Sequence, residues 1–435
     1  MSSQYIRMPT LKASQQGLAK IRQARTKRGW PVSDRKWLEE ASLVLGINWE
    51  NKGYLADGIS EGTWSRFLAG KCPINTDAFH AYCEVLGLNW EDIVDRDRVR
   101  CQDWDSAPDV SVFYGRLEEL ATLEEWIVKN RCRLIALVGM GGIGKTSLAA
   151  KIAAQIQDEF EFLIWRSLHD APSIEHLLYD LIQFLSNQQK TELNSSFEGS
   201  VSHLIDCLQK HRCLLILDNW EPVLGTCKMA GQYRKGYEVY GELIKRVGES
   251  QHHSCLVLTS REKPGVIAAL EGPNLLVRSL KLTGLGEATR DILKEKGLHE
   301  ENLWSELIQP YRGNPLALKI VAATIHDLFG GSISDFLMQN TLFLGDFEYL
   351  LYQQFHRLSE LEKELMYGIS MSLTSRTISQ LRSNIQEEIS SSQLIKALES
   401  LERKSLIEKV KEENETSFTL QPMVMKYVKT HYSRC

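Results

Sequence analysis

The sequence predicts a multidomain chain of α and α/β class, and three observations carry that expectation. The segment GMGGIGKTS, residues 139–147, lies between a short apolar run and an Ala-rich helical pattern. Across residues 111–285, apolar runs alternate with helical segments, as in a parallel sheet with crossovers. On either side the periodicity is helical, broken only near the end by two alternating segments. The expected order is an all-α front domain at 1–95, a linker at 96–110 and an α/β domain at 111–285. A small helical bundle at 286–340 and a helical domain closed by a hairpin at 341–435 complete it.

With 435 residues the chain can form several cores. No apolar run approaches the roughly 18 residues of a membrane span, and the start, MSSQYIRMPTLKAS, lacks a signal-peptide core. No membrane partner and a cytoplasmic location are therefore expected. Nine cysteines occur with no CxxC pair, which argues against a zinc ribbon or thioredoxin-like site. Cys132, Cys213 and Cys255 lie in apolar runs and read as small core residues. Net charge is −5, yet residues 1–36 carry nine Lys/Arg against the single acid Asp34. Such a segment suits either a solvated helix face or a footprint for nucleic acid or an acidic partner.

In the front domain, periodicity predicts helices at 11–28, 34–45, 60–69 and 76–86, and a short one from Trp90. The echoing pieces LGINWE and LGLNWE punctuate them. Gly46 and Gly87 suit left-handed turns after a helix, and Asn48 and Asn89 suit caps of the next one. The stretch SEGTWSRFLAGKCPI, followed by FHAYCEVLGL, resembles the recognition half of phage-repressor-like helix-turn-helix domains. That resemblance implies that Thr63, Trp64, Ser65 and Arg66 face the major groove of DNA. The tight turn of that family is replaced here by INWENKGYLADGI. A helical adaptor domain sharing the fold is the alternative. The linker DRDRVRCQDWDSAPDVS is charged and aperiodic.

In the α/β domain, RLIALV fits a buried strand and SLAAKIAAQI a helix. Between them, Gly139-x4-Gly144-Lys145-Thr146 is the full phosphate-loop pattern. Gly141, Gly142 and Gly144 let the backbone wrap, so that N–H groups along Gly139–Ser147, Ile143 included, face a phosphate. The helix N-terminus adds positive potential. Lys145 would reach the β- and γ-phosphates of ATP, and Thr146 would offer its hydroxyl to Mg²⁺. FLIWRSL, CLLILDN, CLVLTSR and LLVRSLKL supply further strands. Asp218 ends the second of these, where an acid holds Mg²⁺ through water. Arg261 ends the third, where a guanidinium can clamp a γ-phosphate. Asn219 follows Asp218 and cannot take a proton from water, so Glu221 is the candidate base.

Toward the end, helices from about 348 are followed by LIEKV and SFTLQ around KEENET, a helix-then-hairpin order that makes a winged helix.

The ordered set FYGRLEEL, GMGGIGKT, FLIWRSL, LLILDNWEP, LVLTSR and GNPLAL resembles the NB-ARC family of signal-transducing P-loop ATPases over about 113–430. The resemblance implies that Arg116 lies near the adenine side and that Pro315 closes over the base. It also implies a contact from just after the hairpin to the β-phosphate. The matching position holds Gln421, where the family's pattern has a histidine. Relatives usually continue into repeats that sense a trigger, and no such period is found in these residues. Three explanations stand: a truncated chain, a separate sensor protein, or a front domain that both senses and acts. The expected function is a switch that binds ATP or ADP with Mg²⁺, hydrolyses slowly and self-associates in the ATP state. Two alternatives are an ATP-responsive DNA-binding regulator acting through residues 1–95 and an AAA+-like ATPase that loads on DNA.

Overall fold

The computed structural model describes residues 10–70, 74–94, 101–104, 107–186, 196–372, 374–384, 389–412 and 415–432. Arg7 of the basic start, linker residues 96–100 and 105–106, hairpin-turn residues 413–414 and Cys435 lie outside them. The chain divides into two units, Met1–Gln102 and Asp103–Cys435.

The first unit is built from helices Gln15–Arg28, Lys36–Val44, Trp49–Lys52, Glu61–Ala69 and Thr76–Val85. Ser14, Ser60 and Asn75 cap three of them by accepting backbone N–H groups of the first turn. Gly46 and Gly87 are left-handed, at φ 81° and 65°. Asn48 accepts from the Asn51 N–H and Asn89 from the Glu91 N–H. The unit also holds a small antiparallel pairing of Thr10–Leu11 with Ile74–Asn75, which no sequence period announces.

Its centre is aromatic. Trp37 stacks on Trp64 with ring centroids 5.0 Å apart, and Trp64 meets Phe67 and Tyr82 at 5.6 Å and 5.0 Å. The Trp64 indole N–H donates to the Val32 carbonyl at 3.0 Å. This corrects the expectation for Thr63 and Trp64, which are buried, and leaves the one for Ser65 and Arg66 as it was. Helical periodicity places Thr63, Trp64 and Phe67 on the core face and leaves Ser65 and Arg66 exposed. A tryptophan locked among three aromatic rings cannot also lie in a groove.

The second unit is organised around a six-stranded sheet. Parallel strands run in the order Phe162–Ser167, Cys213–Asp218, Cys255–Ser260, Leu134–Val138, Val277–Lys281, with the short strand Cys101–Asp103 at the first edge. The phosphate-loop strand, Leu134–Val138, therefore lies directly beside the strand that leads to Arg261 and two places from the one ending in Asp218. All three acidic and basic ends emerge at the same edge.

After the sheet in chain order, helices Thr289–Glu295, Trp304–Ile308, Pro315–Phe329 and Ile333–Leu337 are followed by Phe347–Phe355, Glu360–Ser370, Ile378–Asn384, Ser391–Arg403 and Pro422–His431. The hairpin joins Glu408–Glu412 to Glu415–Thr419, and Arg376–Thr377 pairs with its second strand. One apolar core runs from Leu293 to Val428 and includes Met140 of the phosphate loop. The segments on either side of residue 340 thus share a core.

Ion pairs and hydrogen bonds mark part of the seam between this rear body and the sheet. Arg357 pairs with buried Glu262 at 2.9 Å. Lys404 donates to both carboxylate oxygens of Glu362 and to the Lys228 carbonyl, each at 2.9 Å.

Trp64→Ala should destabilise the front unit by about 3–5 kcal/mol, the usual range for emptying a core site of this size. Ser65→Ala should stay within about 0.5 kcal/mol. Hydrogen exchange of the Gln15–Arg28 amides in the full chain measures both; equal protection in the two variants would contradict the buried placement.

Candidate nucleotide site

Gly139–Gly144 forms the loop between the strand Leu134–Val138 and the helix Lys145–Ile156. Two of its glycines are required by conformation. Gly142 and Gly144 stand at φ 74° and 96°, in the left-handed region, and a Cβ on Gly142 would come within 2.8 Å of the Leu316 Cβ. Gly144 caps a helix of 12 residues, whose free N–H groups and dipole favour an anion.

Lys145 is buried, and its ammonium donates to the Gly139 and Met140 carbonyls at 2.9 Å and 3.0 Å. Burial pulls it from the ordinary 10.5 down to about 8; Glu221 and Asp218 oppose that shift, and the charge of Arg261 adds to it. The cation is held on its own loop, within reach of whatever the loop holds.

The Thr146 hydroxyl donates to Asp218 Oδ1 at 2.9 Å, and the Thr259 hydroxyl donates to the same oxygen at 2.6 Å. Asn219 donates its side-chain amide to Asp218 Oδ2 at 3.2 Å. Burial raises the Asp218 carboxyl above its ordinary value, and the two hydroxyls work against that. A threonine hydroxyl beside one buried carboxylate fits Mg²⁺, which takes few protein ligands and completes its shell with phosphate and water. No cluster of three or more His, Cys, Asp or Glu suited to another metal occurs among the described residues.

Glu221 begins a short 3-10 turn, and its Oε1 accepts the Arg261 backbone N–H. The same oxygen lies 3.9 Å from Arg261 Nε. The Arg261 guanidinium extends over the loop, where a Cβ on Gly141 would meet its Nε and Cζ at 3.7 Å and 3.8 Å. Sheet order thus brings Lys145, Thr146, Asp218, Glu221 and Arg261 to one place.

Arg116 is buried in an unusual left-handed conformation, φ 63°. Its guanidinium donates to the Ile143 and Thr283 carbonyls at 3.0 Å and 2.6 Å and pairs with Glu119 at 2.6 Å. It therefore clasps the back of the phosphate loop. Pro315 opens the helix Pro315–Phe329 at the first-turn position that tolerates a missing N–H. Gln421 is the half-buried N-cap residue of Pro422–His431 and makes no side-chain cap bond there. Ser147 lies in the first helical turn, partly exposed.

Three residues of the site carried no sequence assignment. Asn314 donates from Nδ2 to the Gly141 carbonyl at 3.0 Å, while its Oδ1 accepts from Leu316 and Ala317. The Asn-Pro pair in GNPLAL is a helix-start signal that could have drawn attention to it. Gln353 accepts from Arg261 Nη1 at 3.5 Å, and Thr259 orients Asp218; neither has a distinguishing local pattern.

Residues 117–232 match the NB-ARC domain. The chain is 48% identical, over 97% of its length, to an uncharacterized WD repeat-containing protein of Nostoc sp., and it spans 36% of that protein. It is 25% identical, over 48% of its length, to the disease resistance protein RPP13 of Arabidopsis thaliana, of which it covers 24%. Among solved structures, it is similar to a signal transduction ATPase with numerous domains from Pyrococcus horikoshii that carries a tetratricopeptide repeat sensor. That likeness has a TM-score of 0.40 at 20% identity and covers 76% of this chain and 44% of the other.

A phosphate at Lys145 favours the ammonium form, so ATP binding above pH 8 should take up a proton. Affinity should fall by up to about tenfold per pH unit as pH rises from about 8 toward the ordinary lysine range. The free protein shows the opposite sign. Its native Lys145 binds fewer protons than the unfolded chain across that window, so this group's share of stability rises with pH. Calorimetry at pH 8.8 in buffers of different ionisation enthalpy measures the uptake. Flat affinity between pH 7.5 and 9.5 with no uptake would place the ammonium outside the phosphate site.

Proposed function

Because the chain belongs to the NB-ARC family of P-loop ATPases, we propose that it is a nucleotide-controlled signalling switch that binds ATP or ADP with Mg²⁺ and couples slow hydrolysis to domain opening and self-association. One observation carries this reading. The rear body touches the phosphate loop itself, through Asn314 on the Gly141 carbonyl, Leu316 N–H on the Gly142 carbonyl and Met140 within the rear core. A ligand that changes this loop must therefore act on the rear body, which gives it the differential contact a switch requires.

In this reading the loop N–H groups and Lys145 hold the β- and γ-phosphates, and Thr146 and Asp218 hold Mg²⁺. Bound there, Mg²⁺ neutralises phosphate charge and orients the phosphates. Glu221 Oε1 is committed to Arg261, and its other oxygen is left to accept a proton from the attacking water. Arg261 meets the γ-phosphate. Arg116 supports the loop on the side where adenine sits, and Pro315 closes over the base. Gln421 is the candidate β-phosphate contact of the ADP state. The order helix, strand, helix, helix, hairpin over Glu360–Thr419 supports reading the rear as a winged helix.

The name of the Nostoc relative points to WD repeats as the sensor class. Such a sensor would act either within a longer chain or as a separate cytoplasmic partner. The second reading, an ATP-responsive DNA-binding regulator, keeps the exposed Ser65 and Arg66 and the basic last turn of Gln15–Arg28 as its support.

Mass photometry of the full chain should show larger species with a non-hydrolysable ATP analogue than with ADP. Lys145→Ala should lose the response, since backbone groups alone cannot replace its charge-assisted contacts. Glu221→Gln should bind ATP and hydrolyse it at least ~10²-fold slower. Identical mass distributions of the wild type in both nucleotides would refute the switch.

A further inference from the structure

On the Arg261 side of the phosphate loop, the rear body contributes the helix Phe347–Phe355, well before the hairpin. A Cβ on Gly141 would meet the Arg261 guanidinium on one side and Leu350 Cβ, at 3.9 Å, on the other. The loop is thus covered at one spot by a cation from the sheet and by a helix from the rear body. The helix next reaches the cation itself, since Gln353 Oε1 accepts from Arg261 Nη1 at 3.5 Å.

The two ends of Arg261 are held differently. Its backbone N–H and its Nε face Glu221, an acid of the same sheet edge. That end belongs to the nucleotide domain and need not move. The far end of the guanidinium rests on a neutral amide, at the long limit of hydrogen-bond length. A γ-phosphate offers the same N–H groups charged oxygens in a fork geometry and outcompetes a neutral acceptor.

We propose that Gln353 is the residue through which the lid reads the nucleotide: it holds the Arg261 guanidinium over Gly141 in the closed state and loses it to the γ-phosphate of ATP. This rests on the switch reading above and names its coupling contact. The helix is suited to pass the loss on. Phe347, Leu351 and Phe355 are buried in the rear core. Gln354, the next residue, donates to the Lys404 carbonyl at 2.9 Å, and Lys404 belongs to the seam with the sheet domain. ADP has no γ-phosphate and leaves the Gln353 contact in place.

Two substitutions in the full chain should move in opposite directions. Gln353→Ala removes the competitor, so the affinity ratio of adenylyl-imidodiphosphate to ADP should rise by ~3–10-fold, the net value of one ordinary hydrogen bond, as suits a contact at the long limit. Larger species should form at correspondingly lower analogue concentration. Gln353→Glu gives the guanidinium a charged partner and sets a like charge against the phosphate. The ratio should fall by about tenfold or more, and the chain should stay small in the analogue. Loss of packing alone would weaken both variants in the same direction. Ratios that match the wild type, or that shift together, overturn the proposal while leaving the switch standing if the wild type still responds to nucleotide. A wild type indifferent to nucleotide removes the switch and this contact with it.

Discussion

The structure turns on the fact that the phosphate loop is bonded by a side chain from far along the chain. Asn314 makes two connections with one side chain. Its amide nitrogen holds the Gly141 carbonyl, and its amide oxygen caps the helix Pro315–Phe329. Loss of an N-cap costs about 1 kcal/mol, and a buried carbonyl left unpaired costs about 1–3 kcal/mol. The helix cannot slide without giving up one or the other. Leu316 fills the space above Gly142, and Met140 is packed into the rear core. Loop geometry and the position of this helix are therefore coupled, and the proposed switch needs no long-range relay.

The polar contacts of the seam bear on how costly opening is. Lys404 and Glu362 both belong to the rear body, and Ser400 also donates to Glu362, at 2.7 Å. This buried pair stays intact if the body moves as a unit. The Lys228 carbonyl, the Ala230 N–H, which donates to Ser400 Oγ, and the Cys227 and Lys263 N–H groups, which donate to the Arg357 and Arg403 carbonyls, would change partners. Each is worth about 0.5–1.5 kcal/mol net, because water replaces what is lost. The Glu262–Arg357 pair does cross the seam. Burial holds the Glu262 carboxyl above its ordinary value, with Arg357 as the chief countering influence. Separating the two in water relieves the desolvation that closure imposed, which limits the net loss.

What the sequence made legible follows from how local each constraint is. The phosphate loop was readable because its glycines, lysine and threonine are demanded by backbone conformation within nine residues, between a strand and a helix. Gly46, Gly87, Asn48 and Asn89 were readable for the same reason. The strand ends at Asp218 and Arg261 were readable as buried runs, and their sheet order then brought them together. The front helix Glu61–Ala69 shows the opposite case. A family resemblance assigned Thr63 and Trp64 to a groove, although the helical period groups both with Phe67 on one face. Asn314 and Gln353 depend on tertiary apposition across 173 and 92 residues. A glutamine on a half-exposed helix has the same local pattern as any solvated residue. The strand pair Thr10–Leu11 and Ile74–Asn75 is too short to show a period.

Asn219, which follows Asp218 and cannot take a proton, has a structural role of its own. Asn219 sits at φ 60°, a conformation asparagine tolerates better than most residues, and its amide steadies Asp218. The proposed base is then Glu221, yet one of its oxygens already holds the backbone of Arg261. Proton abstraction and retention of the γ-phosphate clamp therefore draw on a single carboxylate. Taking a proton weakens its hold on Arg261 at the moment the γ-phosphate leaves. In the proposed mechanism one carboxylate would serve both tasks. The loss of γ-phosphate and the release of the guanidinium would then become one event. In the proposed switch, that coupling would end the ATP state in a single step.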